Sequence, residues 1–586
     1  MKKKIRTISI VAHVDHGKST LCDAIIEQCI GTSISSQTPT LDSHLIEKAR
    51  GVTIRNHFIR LNYKNNTLNI IDTPGHSDLA CFVEIGSFVC DGVILLIDIT
   101  KGIQAQTISY LNLCQKYNKK IIVALNKIDL EILDKVSEVK EILRSYKNIE
   151  HVIEVSAKTR KNINLLLETM DNTFILKEQT INSNIKFIII DHIYNKYHGN
   201  ILFVKIEEGH IKKNSVLIIN KKKYVIQKIA YKEFNNTIFT NEAINGDLCY
   251  LYIDINIEDK NTILGIEYNN QKLTRVIKLQ NPYTYINIYA KNTEEFPKLE
   301  NIILRLKKAE HGVSTKTYNS NIYGSVIRCG FYGEFHQDIF IQKLKLETNI
   351  EFNIINSEIE YLYKDDSFII VPDSKQIAVN YRQYLSHLKT PFYNIKIQSK
   401  NIYYSKIISY IQHNVSCYTF KDTIFTFEDI ILIVNLPISY INNDLQNVLK
   451  GITNGYTDII IDNIEYKNTK LSLIEFLINK ELFPELSYIE IHELAYNSAV
   501  EKSKIIINNL QRQQYLLVLN IMIDKKIVFK HIIQPFRKDV EKRCNGGDAT
   551  RRKKLLNKQK EGKAKMLQRA DINKIRVGIL KNIVQK

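Results

Sequence analysis

Ala12-His13-Val14-Asp15-His16-Gly17-Lys18-Ser19-Thr20 is the stretch on which the reading of this chain turns. It follows the apolar run Ile8–Val11 directly and fits the pattern Gly-x-x-x-x-Gly-Lys-Ser/Thr, with Ala12 in the first glycine position. A buried strand that turns through glycine into a helix leaves the first N–H groups of that helix unpaired. Those groups, with the positive end of the helix dipole, cradle phosphate. The candidate phosphate-binding residues are Asp15, His16, Gly17, Lys18, Ser19 and Thr20. Lys18 would reach the β- and γ-phosphates, and the Ser19 hydroxyl would hold Mg²⁺.

Outward from that loop, short apolar runs alternate with longer amphipathic stretches from Ile5 to about Ile175. The runs after Ile8–Val11 are Leu68–Ile71, Val93–Ile97, Ile121–Leu125 and Val152–Val155. Such alternation predicts a parallel sheet wrapped by helices, with ligands at the carboxyl ends of the strands. Three further motifs follow three of these runs. In Asp72-Thr73-Pro74-Gly75-His76, Asp72 is placed to orient Mg²⁺ through water and the Gly75 N–H to sense a γ-phosphate. In Asn126-Lys127-Ile128-Asp129, Asp129 can accept from both N1–H and the 2-amino group of guanine, a pair that adenine lacks. Ser156-Ala157-Lys158 brings backbone to the guanine carbonyl. Four motifs in this order, each after a strand, select GTP. Between the first two lies Arg50-Gly51-Val52-Thr53-Ile54, in which Thr53 completes the Mg²⁺ shell while GTP is present and lets it go after hydrolysis. Many GTPases place Gln after the sensing glycine to position the attacking water; here the residue is His76, which becomes the candidate catalytic group.

The remaining chain of 586 residues is too long for one core. Closely spaced strand-like runs over about 185–268, broken by Gly209 and Gly246, predict a small β-barrel. Two stretches, about 282–365 and 390–468, mix strands with one or two helices and fit split β-α-β sandwiches. The expected division is a GTPase domain over 1–178, a β-barrel over 179–278, a ferredoxin-like unit over 279–365, a connector over 366–389, a second ferredoxin-like unit over 390–470 and a C-terminal domain over 471–586. Together these make a multidomain α/β and β protein.

Formal charge is +19 and nine cysteines are scattered with no Cys-x-x-Cys pair, which suits free thiols in a reducing compartment and a polyanionic partner. No apolar stretch is long enough to span a bilayer, and the N-terminus runs into a motif with no room for a signal peptide. Between Arg537 and Arg569 stand 13 Lys or Arg against four Asp or Glu. Arg537, Lys538, Arg543, Arg551, Arg552, Lys553, Lys554, Lys558, Lys560 and Lys563 are candidate contacts to the phosphates of an RNA, the turn at Gly546-Gly547 letting two basic elements converge.

Taken together, AHVDHGKST, RGVTI, DTPGH and NKID resemble the translational GTPases. The segment Arg328-Cys329-Gly330-Phe331 with Gly333 and His336, and above all the run Arg537–Asp548 continuing through Thr550–Leu556 and Lys558–Lys563, resemble the LepA (elongation factor 4) family within them. The resemblance covers nearly the whole chain. It implies that His76 positions the water, that Val14 and Val52 form a hydrophobic gate beside it, and that the sarcin-ricin loop of the bacterial ribosome draws His76 into place. It further implies a cytoplasmic monomer off the ribosome, bound to GTP and Mg²⁺ and open to peripheral attachment at the inner membrane, that moves tRNAs one codon backward on stalled or wrongly translocated ribosomes. A forward translocase of the elongation factor G type would carry an extra domain where this chain has only the connector. A BipA-type assembly GTPase lacks this tail, and a decayed, purely RNA-binding reading conflicts with intact Lys18, Thr53, Asp72, His76 and Asp129. The chain departs from the family pattern at Ala49, Ser77, Leu79, Tyr332, Glu334 and Phe335.

Overall fold

The computed structural model describes residues 4–31, 47, 50, 52–130, 133–174, 185–195, 199–219, 222–233, 236–253, 262–267, 272–278, 282–320, 324–356, 360–363, 368–370, 385–425, 429–441, 445–453, 456–483, 486–510, 512–538 and 549–568. Arg543, Ala49, the Gly546-Gly547 turn and most of the expected connector lie outside the described residues.

The first domain is a six-stranded sheet of β1 (Ile5–Ala12), β2 (His57–Tyr63), β3 (Asn66–Asp72), β4 (Gly92–Asp98), β5 (Lys120–Asn126) and β6 (Ile149–Glu154), in the order β2-β3-β1-β4-β5-β6. All neighbours are parallel except β2, which runs antiparallel to β3. Successive side chains on a strand face opposite sides, so a sheet covered twice needs apolar residues at every position. Here Val93, Leu95 and Ile97 pack on one face while Ile94 and Leu96 pack on the other. β5 splits the same way, with Ile121, Val123 and Leu125 against Ile122 and Ala124. The flanking helices are α1 (Lys18–Ile30), α2 (Ala80–Val89), α3 (Ala105–Lys116), α4 (Leu133–Leu143) and α5 (Ile163–Thr173). The sequence reading named no strand over His57–Tyr63, where alternation is short and most residues remain partly exposed at the sheet edge.

The next unit is a seven-stranded antiparallel sheet with two small ribbons, closed over Phe187, Leu202, Val204, Leu217, Ile229 and Leu251. It clasps the first domain through buried charge. Arg60 meets Asp247 at 2.8 Å and lies over the Tyr231 ring at 4.1 Å, while Lys205 meets Asp91 at 2.5 Å.

Two units with the β-α-β-β-α-β pattern follow. In the first, Ser314–Ser320, Gly324–Phe331, Thr284–Ala290 and Phe352–Asn356 are neighbours in that order, with helices Phe296–Ala309 and Glu334–Glu347. In the second, Thr419–Phe425, Asp429–Pro437, Lys389–Lys400 and Asp458–Asn468 repeat the arrangement with helices Tyr404–Asn414 and Leu445–Ile452. Glu360–Leu362, which the sequence placed in the first of these units, pairs instead with the sheet of the second through Leu362 and Lys389. Phe368–Ile370, expected in the connector, is a strand paired with it. The cause is burial: Tyr361 is packed among Leu388, Phe392, Leu473 and Ile489, a pocket that only the later units supply. The C-terminal unit packs Leu471–Ile478, Tyr488–Ile491, Leu517–Ile523 and Lys526–Ile533 against helix His492–Asn509, and the long helix Ala549–Gln568 is the last element among the described residues.

Among the described residues every cysteine is a free thiol, six of them buried, and no helix is long and apolar enough to cross a membrane.

Candidate functional site

Gly17 opens α1 in the left-handed region, at φ +90°, where a side chain is strained. Any Cβ there would also meet the Asn126 amide at 2.7 Å. The reason is a three-way tie: Asn126 Nδ2 donates to the His16 carbonyl at 2.9 Å, and the Ala157 N–H donates to Asn126 Oδ1 at 2.9 Å. Asn126 thus spends its side chain on joining the glycine loop to the loop that carries Ser156 and Ala157. Lys127 does similar work from above, its ammonium 3.2 Å from the Asp15 carbonyl and 2.6 Å from the buried Asp98 carboxylate. His16 is fully buried beneath the loop, its Nδ1 3.2 Å from the Asp98 N–H; burial pushes its imidazole below the ordinary histidine value.

Asp129 is exposed, and one oxygen accepts the Ser156 hydroxyl at 2.7 Å. That hydrogen bond holds the carboxyl below its usual range, so Asp129 is an anion whose remaining lone pairs face solvent. Ser156 and Ala157 are buried, Ile128 is half-buried, and Lys158 is exposed beside them.

Directly after Gly17, Lys18 forms a buried ion pair with Asp72 at 2.5 Å, with Thr53 Oγ1 3.4 Å from the same ammonium. Asp72 Oδ2 is buried with no hydrogen-bond partner. An unpartnered carboxylate oxygen close to the Thr53 hydroxyl, with Ser19 next along the chain from Lys18, is a donor set that fits a hard divalent cation of the Mg²⁺ kind. Gly75 is pressed on the loop, so that a Cβ would sit 3.2 Å from the Ala12 carbonyl. Val14 and Val52 are half-buried, and Asp15 and Thr20 exposed.

His76 is 34% exposed and bound to its neighbours in a way that the motif alone does not disclose. Its Nδ1 accepts the Asp78 N–H at 3.2 Å, and burial lowers its pKa, so the ring is neutral. Its face stacks on Phe335, from the first turn of helix Glu334–Glu347. The Phe335 N–H donates to Asp78 Oδ2 at 2.9 Å, Asp78 serving as acceptor at the start of that helix. A Cβ on Gly333 would collide with the Asp78 carboxylate at 2.2 Å, so glycine alone permits the approach.

Behind this contact Arg55, just past Thr53, pairs with the buried Glu310, and Lys343 meets Glu310 at 2.6 Å. Burial would raise the Glu310 carboxyl, but the Arg55 and Lys343 cations override it and hold it at about 2. Glu47 accepts from the Ile54 N–H at 2.9 Å and from His57 at 3.1 Å, anchoring the same segment. The sequence reading missed Phe335, Asp78, Arg55 and Glu310. The only local signal was that Phe335 and Glu334 depart from the family pattern.

Of the candidate RNA contacts, Arg551, Arg552, Lys553, Lys554, Lys558, Lys560 and Lys563 lie on one helix, and Arg537 and Lys538 are exposed on the extended segment beside it. Lys563 and Gln559 donate to the carbonyls of Phe536 and Lys538, fixing segment and helix together.

Residues 3–175 match the model of the elongation factor Tu GTP binding domain, and residues 478–583 match that of the GTP-binding protein LepA C-terminus. Proteins named elongation factor 4 from Campylobacter lari and Mesoplasma florum are each 30% identical over 588 residues, covering 96% of this chain and 96% of the relative. One from Finegoldia magna is 30% identical over 585 residues with the same coverage. A crystal structure from Thermus thermophilus shares the fold at a TM-score of 0.58 and 11% identity, over 86% of this chain and 99% of that one.

Proposed function

This chain belongs to the elongation factor 4 family, and from that premise we propose that it is a ribosome-stimulated GTP hydrolase that resets tRNA position on stalled or wrongly translocated ribosomes. The observation that carries the reading is the convergence of Lys18, Thr53 and Asp72 in one buried cluster with an unpartnered Asp72 oxygen. Arriving phosphates would take Lys18 from Asp72. Ser19 and Thr53 would then hold Mg²⁺ directly and Asp72 through water. The ion would neutralise charge on the β- and γ-phosphate oxygens. Asp15, His16, Gly17 and Thr20 line the phosphates by their backbone, and Gly75 reads the γ-phosphate. Asp129 would bind the guanine edge, with Lys127 and Ile128 beneath it and Ser156, Ala157 and Lys158 around it.

His76 would position the attacking water. A neutral ring that accepts at Nδ1 carries its proton at Nε2, which then orients a water by its oxygen. Val14 and Val52 would gate that movement, and the sarcin-ricin loop would draw the ring away from Phe335. Off the ribosome the protein would act as a cytoplasmic monomer. Its +19 charge supports reversible attachment to an anionic inner-membrane face as well as to RNA.

The tail carries the tRNA-directed part of the proposal. Deleting 537–586 should leave GTP binding intact and change tRNA position on a post-translocation ribosome, read as a shift of the ribosome's leading edge on messenger RNA. A one-codon backward shift with the full chain, lost on deletion, supports the reading. Unchanged positions in both cases would sink it.

A further inference from the structure

Where the C-terminal sheet hands over to the last helix, Arg512, Gln534, Pro535, Phe536 and Arg537 line a recess of about 500 Å³. Phe536 is 61% exposed. A large aromatic left in water forgoes most of its burial energy, so a ring held there by a rigid backbone invites a partner. The backbone is rigid here: the Phe536 N–H donates to the Gln513 carbonyl at 2.9 Å, the Phe536 carbonyl accepts from Lys563, and the Lys538 carbonyl accepts from Gln559 at 2.8 Å. Pro535, buried, fixes the approach.

The surroundings are strongly positive. Helix Ala549–Gln568 carries eight Lys or Arg and one Glu, and Arg512 and Arg537 flank the ring. Desolvation and then the Arg537 charge push the Lys563 ammonium below its ordinary value. Planar guanidinium groups, an amide and a flat ring together suit a nucleobase with its phosphates.

We propose that Phe536, flanked by Arg512 and Arg537, is a stacking site for one unpaired base of an RNA whose phosphates run along helix Ala549–Gln568. The site deepens the RNA-binding reading of the tail by naming its target as an unstacked base and not a duplex face. An unpaired base offers its π-face at no unpairing cost, whereas a duplex would have to open first.

The test is fluorescence anisotropy of the full chain with a labelled single-stranded oligoribonucleotide and with a blunt RNA duplex of the same sequence, over a salt series. Phe536→Ala should weaken single-strand binding by about tenfold, with an unchanged salt slope and unchanged duplex binding. Phe536→Tyr should restore the affinity, and Arg537→Gln should lower the salt slope by about one. Equal binding by Phe536→Ala and the natural chain would overturn the stacking site while leaving the basic tail as an RNA surface. Natural chain that binds neither RNA would overturn both. A loss confined to phosphatidylglycerol vesicles, with RNA binding intact, would assign the recess to a membrane instead.

Discussion

The imidazole of His76 stacks on the ring of Phe335 with centroids 4.2 Å apart and planes 24° from parallel, across the boundary between the GTP-binding domain and the first ferredoxin-like unit. The Arg50 guanidinium lies on the same ring at 5.2 Å. One aromatic side chain therefore touches the residue proposed to position water and a residue of the segment that carries Thr53. If His76 positions the water as proposed, this stack would hold the imidazole in a resting position from which hydrolysis would have to release it.

An aromatic pair of this kind is worth about 1 kcal/mol beyond its buried area. Phe335→Ala should accordingly raise ribosome-free GTP hydrolysis by roughly fivefold, with GTP binding unchanged. Phosphate release in single turnover reads the effect directly. An unchanged basal rate would mean that the stack is packing and not restraint.

Glu310 is the hinge of charge between Arg55 and Lys343. Glu310→Gln leaves the buried Lys343 and the partly exposed Arg55 without their anion and should cost about 3 kcal/mol, seen as a lower thermal midpoint. The carboxyl is held down at about 2 against an ordinary 4.5. A depressed carboxylate contributes stability that is complete above its unfolded value and is lost as pH falls through the folded one. The junction should therefore weaken between pH 4.5 and about 2, and the Gln variant should not show that loss. Parallel acid-unfolding curves for the two proteins would contradict the assignment.

Asn126 ties two loops together, its amide nitrogen donating to the His16 carbonyl and its amide oxygen accepting from the Ala157 N–H. Losing its two buried hydrogen bonds should cost about 2 kcal/mol, or roughly thirtyfold in affinity if the whole loss falls on the bound state. Asn126→Ala should thus weaken GDP and GTP alike, measured by equilibrium titration. Selective loss of one nucleotide would point to a direct ligand contact.

Asp129 can be separated from it by inosine triphosphate, which lacks the 2-amino group of GTP. The natural chain should prefer GTP by roughly tenfold or more, as expected for a hydrogen bond to a charged group. Asp129→Ala should bind both poorly and equally. A preserved preference would remove Asp129 from base recognition.

The sheet and its motifs were legible because their signals are local. Doubly covered strands such as Val93–Ile97 read as unbroken apolar runs, and each motif begins where such a run stops. The edge strand His57–Tyr63 escaped because only Ile59 and Leu61 are fully buried. Tyr361 and Phe368 looked like the end of one unit and a linker, since nothing near them in sequence reveals that Leu473 and Ile489 will cover Tyr361. The contacts that restrain the site were illegible for the same reason. His76 with Phe335, Arg55 with Glu310 and Lys205 with Asp91 each join distant segments, and neither periodicity nor motif spacing encodes a pair across two domains. Asn126 was found by its motif, but its work in joining loops was visible only in three dimensions.

The most direct test of the central claim is steady-state GTP hydrolysis by the natural chain and by His76→Ala, with and without purified bacterial ribosomes. Strong stimulation of the natural chain, lost in the variant while GTP binding persists, is the predicted result. Hydrolysis indifferent to ribosomes, or equal stimulation of both proteins, would contradict it.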